Sequence, residues 1–210
     1  MRMSRWTIGL ILLFCAGILA SCMGMASEVK ISKDGSGTVA AEYRLSEELV
    51  AFGQLEANKD MLPVPLTESD VRQGLQGAKG LRFVSWSSKR DGTDTLIRTV
   101  VAFESLKALA GYLDPEGKLA RHETSDQGSK LVFSLGSTLP SFDPEMKKVA
   151  KEAFGSYSLV FEFDLPSPPK EFSTSSPIIK TSRNGNTVRF EGAMGDIVSG
   201  DTVPGIVIAW

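Results

Sequence analysis

Two cysteines and one histidine in 210 residues leave this chain poor in the side chains that carry most protein chemistry. Cys15 lies inside an apolar N-terminal run, so a chain cut after residue 21 keeps Cys22 alone and cannot form an internal disulfide. A tetrahedral zinc site beside His122 would need carboxylates in three positions, which zinc rarely accepts. The glycines gather at turns, and no P-loop or dinucleotide-binding spacing occurs. No G-x-S-x-G elbow is present and no serine is tied by spacing to His122, which stands in Arg121-His122-Glu123-Thr124-Ser125-Asp126 at the polar end of a predicted hairpin and reads as a surface residue. Repeats of fixed period and long low-complexity segments are also missing. Basic charge is scarce too. Removing residues 1–21, which hold Arg2 and Arg5 and no acid, takes the net charge from −2 to −4, so no basic footprint exists for nucleic acid or for anionic lipid. No catalytic residue, metal or cofactor is expected.

What the chain does have is an address. Met1 to Arg5 is a positive n-region and residues 6–20 an apolar h-region, and the run closes on Leu19-Ala20-Ser21-Cys22. This reads as a lipobox, in which the cysteine is acylated and becomes the mature N-terminus. About 20 apolar residues can span a bilayer, so a retained helix is the competing reading. The small or helix-weak residues Ser21, Gly24 and Ser27 argue against it. A thioether-linked lipid at Cys22 also removes an otherwise lone thiol from an oxidising envelope. One acyl chain holds only marginally, whereas the two or three of a lipoprotein anchor stably. The expected organisation is a signal peptide over 1–21, a lipidated tether over 22–27 and one domain over 28–210. Its location is the cell membrane or outer membrane, facing the periplasm or exterior, with Met23 after the cysteine favouring outer-membrane sorting.

Along the domain, Val29 and Ile31 alternate before the turn Lys33-Asp34-Gly35-Ser36, and Val39, Ala41, Tyr43 and Leu45 alternate after it, which predicts a hairpin. Asp34-Gly35-Ser36-Gly37 lacks the further oxygen ligands of a calcium loop. Ser46 caps a predicted helix with Glu47 and Glu48 in its first turn and Leu49, Phe52 and Leu55 as its stripe. After Pro63-Val64-Pro65, Thr67 and Asp70 approximate a capping box for a short helix bearing Val71, Leu75 and Ala78 and stopped by Gly80. Residues 81–88 and 95–103 predict a second hairpin, apolar on both faces and hence interior to a sheet. Leu106, Leu109, Ala110 and Leu113 form the cleanest helical stripe.

Residues 118–124 and 130–135 predict a third hairpin with Leu131, Phe133 and Leu135 inward. Asp143-Pro144 opens a helix whose buried side is Met146, Val149, Ala150 and Ala153. Tyr157, Leu159, Phe161, Phe163 and Leu165 occupy alternate positions of the strongest strand, with Glu162 and Asp164 facing solvent, and Phe161 is expected against the Leu106 helix. Residues 178–182 and 187–190 flank Asn184-Gly185, a hairpin signal, and Ile206, Ile208 and Trp210 end the chain as a strand. The fold class is therefore α+β: a largely antiparallel sheet built from hairpins, with three to four short helices on it.

Trp86, Phe83, Phe103, Tyr157, Phe161, Phe163 and Trp210 either fill a core or line an apolar cavity fit for acyl chains. The order of features (lipobox, Asp34-Gly35-Ser36-Gly37, residues 80–86 leading to Asp91-Gly92, Phe103-Glu104-Ser105-Leu106, residues 157–166, Asn184-Gly185 and Trp210) resembles the LppM-like domain of bacterial lipoproteins. That resemblance implies an α+β envelope domain that contacts lipids, and it brings no active site. Many members carry a C-terminal membrane helix, which is not seen here, so the lipid on Cys22 is the expected anchor. The functional expectation is a non-enzymatic binding or interaction domain for lipid or another envelope component; an envelope hydrolase is the alternative.

Overall fold

The computed structural model describes residues 23–47, 50–51, 65–114, 119–125, 128–135 and 142–210. It confirms the α+β class, with antiparallel hairpins distributed over two sheets. The larger has the order β3-β4-β2-β1-β7-β10-β9. Its strands are β1 (Met23–Ile31), β2 (Gly37–Ser46), β3 (Leu81–Asp91), β4 (Asp94–Phe103), β7 (Ser158–Asp164), β9 (Lys180–Asn184) and β10 (Thr187–Ala193). Its one parallel pair is β1 with β7. The smaller sheet, β5-β6-β11-β8, is antiparallel throughout and comprises β5 (Ala120–Ser125), β6 (Gly128–Ser134), β8 (Glu171–Thr174) and β11 (Gly205–Ala209). Four helices are described: α1 (Glu68–Gly74), α2 (Leu106–Leu113), α3 (Pro144–Ala153) and α4 (Met194–Val198). None is long and apolar enough to cross a membrane.

Local chemistry sets the helix starts. The Thr67 hydroxyl accepts from the Asp70 N–H at 3.2 Å while the Asp70 carboxylate accepts from the Thr67 N–H at 2.9 Å, a complete capping box. Ser105 caps α2 by accepting from Ala108, and Asp143 caps α3 by accepting from Met146 with Pro144 at N1. α1 ends at Gly74, one turn sooner than the apolar spacing predicts, because Gly77 takes φ +82° and ends the helical course before Ala78. The β9–β10 turn places Gly185 at φ +59° as the first of its two loop residues, since Asn184 pairs with Thr187. The central pair is thus Gly185-Asn186, the II′ pattern, and not Asn184-Gly185.

The core lies on one face of the larger sheet and splits into two clusters. In the first, Val29, Phe103, Leu159, Phe163, Val188 and Phe190 of the larger sheet meet Leu131, Ile206 and Ile208 of the smaller sheet and Leu106 and Leu109 of α2. The second joins Leu45 and Ile97 to Tyr43, Val50, Leu66 and Trp86. The opposite face is solvated and laced with ion pairs: Glu28 to Lys30 at 2.9 Å, Arg98 to Glu28 at 3.4 Å, and Arg189 to Glu162 at 3.4 Å and to Glu191 at 3.1 Å. The hydrogen bond from Lys30 holds the Glu28 carboxyl below its ordinary pKa.

Several expectations are corrected. β3 is an edge strand and largely exposed; the register slips between Phe83 and Ser85, so a bulge leaves Val84 44% exposed and breaks the apolar pattern. Among the described side chains of α3 only Ala150 is buried, whereas Val149 is 50% exposed. Phe161 is half-buried and meets the Phe133 ring edge-on at 5.5 Å, so its partner is the smaller sheet and not α2. β8 and α4 carry no sequence signal strong enough to predict them. Leu49, Phe52, Leu55, Pro63 and the side chains of Leu113 and Ala153 lie outside the described residues.

Candidate functional site

The larger sheet brings small residues together on its core face. Residues directly opposite across strands share a face. Following the register from β3 to β10 gives one row on the core side: Trp86, Thr99, Ala41, Ser27, Phe161 and Phe190. Its three middle positions carry Thr, Ala and Ser. On one side runs Val101, Val39, Val29 and Phe163, and on the other Ile97, Tyr43, Met25 and Leu159. Three short side chains stand between two bulkier rows, in a line that crosses the strands where the two core clusters part. Ser27, Thr99 and Ala41 are 7%, 6% and 9% exposed, so the row is covered and not open surface.

The row and its two neighbours are mostly apolar, with a few polar groups set among them. Tyr43 is the only ionisable side chain in these rows, and Ser27 and Thr99 supply hydroxyls. At the β3 end the indole Nε1 of Trp86 is buried with no hydrogen-bond partner. An orphan donor of this kind costs about 1–3 kcal/mol and calls for an explanation. An apolar ligand body with a hydrogen-bond acceptor such as an ester carbonyl suits the lining; a charged substrate does not.

The residues singled out in the sequence scatter. Cys22 lies outside the described residues. Residues 23–27, expected as a tether, begin β1, with Gly24 and Ser27 buried, so no tether separates Cys22 from the sheet. His122 is half-buried on edge strand β5, its Nε2 3.4 Å from the Thr124 hydroxyl two residues along the same face, and burial pushes its pKa down. The Asp34 carboxylate accepts from the Ser36 hydroxyl at 2.7 Å and from its N–H at 3.0 Å; these bonds lower its pKa and close the turn. Glu47 pairs with Arg90, and Glu162 with Arg189. Among the described residues no three of His, Cys, Asp and Glu gather as metal ligands.

Of the aromatic set, Phe103, Phe161, Phe163 and Trp210 pack in or against the first cluster and Trp86 against the second. In a polar groove of about 240 Å³ lined by Glu162, Ser182, Arg183 and Arg189 among others, Arg189 pairs with Glu162 at 3.4 Å and Arg183 donates to the Gly185 carbonyl at 2.8 Å. Ser27, Thr99 and Ala41 escape a reading of the sequence as site residues. Each is a small residue between bulky ones two positions away, and only the long-range register aligns the three.

No family model matches the chain, and no curated protein does. Among solved structures, it is similar to the folded domain of the Mycobacterium tuberculosis LppM protein, determined by NMR, with 90% of each chain covered, 9% identity and a TM-score of 0.46, a weak likeness of fold.

Proposed function

We propose that this chain is a lipid-anchored bacterial envelope lipoprotein whose domain binds a lipid, or another amphiphilic envelope component, without catalysing a reaction. The observation that carries the binding reading is the row of Ser27, Ala41 and Thr99 beneath the larger sheet's core face, with the orphan Trp86 N–H at its end. Leu19-Ala20-Ser21-Cys22 supports the anchor. Two or three acyl chains on Cys22 would hold the domain on the cell membrane or outer membrane, facing the periplasm or exterior. Holding a lipid against a row of small apolar and hydroxyl side chains would need no nucleophile and no metal. The His122–Thr124 contact is what neighbours on one strand face ordinarily make, and it gives a hydrolase no assembled centre.

Native mass spectrometry of the protein extracted from membranes tests both halves at once. The expected result is a covalent acyl addition on Cys22 together with a second, dissociable lipid, and Cys22→Ser should lose the first without losing the second. A processed protein with neither addition ends the reading, and ester turnover abolished by His122→Ala replaces it with the hydrolase.

A further inference from the structure

We propose that the end of the larger sheet where β1 starts is the surface that rests on the bilayer, so that β1 runs away from the lipid and the sheet stands on that end. The inference rests on acylation of Cys22. That residue is joined directly to Met23, the first of β1, and successive Cα atoms are about 3.8 Å apart. β1 is held on both sides, by β2 with Met23 opposite Leu45 and by β7 with Met25 opposite Leu159. It cannot peel away to serve as a tether without breaking two ladders. A lipid on Cys22 therefore brings the headgroups to the sheet itself.

The same end gathers the β3–β4 turn, because Asp94 pairs with both Ser46 and Asp91, and the turn at residues 154–156 that precedes β7. Tyr157 packs over the start of β1, where a Cβ on Gly24 would stand 3.3 Å from its ring. Several charges at this end are paired. Arg44 meets Asp91 at 2.6 Å and Asp94 at 3.0 Å, Arg90 meets Glu47, and Lys151 meets Asp196 at 2.7 Å. Among the described residues no cluster of four or more unpaired basic side chains forms here, so the acyl chains and not anionic headgroups hold the contact. The other end carries the turn at Lys33 and Asp34 and the Gly185-Asn186 turn, since Lys30 pairs with Asp164 and Asp164 with Thr187. Nine strand residues separate the two ends, about 30 Å.

Full-length Thr93→Cys, Ser156→Cys, Lys33→Cys and Asn184→Cys variants place a thiol at exposed positions near and far. Each is produced in a bacterium that processes lipoproteins, weighed intact to establish acylation at Cys22, labelled with a fluorophore and reconstituted into phosphatidylcholine vesicles containing nitroxide-headgroup lipid. Fluorescence should be lost at 93 and 156, retained at 33 and 184, and the pattern should persist in high salt. With acylation established, equal or reversed quenching overturns the orientation alone. Near-end quenching that salt abolishes also overturns it, because charge would then hold the contact. A mass without acyl groups removes the lipoprotein reading, and the orientation with it.

Discussion

Phe163 is 2% exposed, with its ring 5.7 Å from Phe133 and 6.2 Å from Phe190, whereas Phe161 two positions earlier is only half-buried. Burial decides the cost of truncation. Phe163→Ala should destabilise by about 4 kcal/mol and Phe161→Ala by about half of that, while Glu162→Ala removes an exposed ion pair worth about 0.5 kcal/mol or less. Denaturant melts of the three variants in that order check the assignment; a Glu162→Ala loss equal to that of Phe163→Ala contradicts it. His122 gives a second residue-scale expectation. Burial lowers its folded pKa, so the unfolded chain takes the proton first as pH falls. The stability owed to neutral imidazole is complete above about pH 6.5 and is lost as pH drops from there through the lower folded value. His122→Gln should flatten the fall of Tm over that window, and an unchanged profile excludes His122 as its source.

At the scale of elements, turns and caps transfer best between sequence and structure because they are decided within four residues. The Thr67–Asp70 box and Asp143-Pro144 form where local chemistry puts them, and the hairpin near Gly185 forms with its two-residue turn one position later than Asn184-Gly185. Gly185 allows a clean test, since a Cβ there meets nothing within 4 Å and only its φ of +59° is at issue. Gly185→Ala should cost about 1–2 kcal/mol from left-handed strain alone. A neutral substitution in thermal melts would place the turn's constraint elsewhere. What fails to read from sequence is long-range. The apolar residues on both faces of residues 81–88 read as an interior strand, yet β3 is an edge with a bulge at Val84, because among the described strands only β4 pairs with it. Phe161 finds Phe133 of a second sheet, and α3 buries Ala150 but not Val149, since each outcome depends on which surface the chain returns to cover.

For the whole molecule, the fold class was readable from hairpin spacing, but the candidate site was not. Ser27, Ala41 and Thr99 are 14 and 58 positions apart in sequence, and become neighbours only through the pairing of β1, β2 and β4. The same register that aligns the row ties β1 into the sheet from its first residue, with Met23 opposite Leu45, so the proposed binding row and the proposed attachment point share one strand. Titration of the mature domain with a fluorescent fatty-acid probe, compared with Ala41→Leu, tests the central claim most directly. The larger side chain fills the middle of the row, and a melt sets aside variants that have lost their fold. Saturable binding by the parent, weakened by tenfold or more in Ala41→Leu, about 1.4 kcal/mol, is the expected result. Probe binding that is absent from the parent, or equal in a folded Ala41→Leu, contradicts the account.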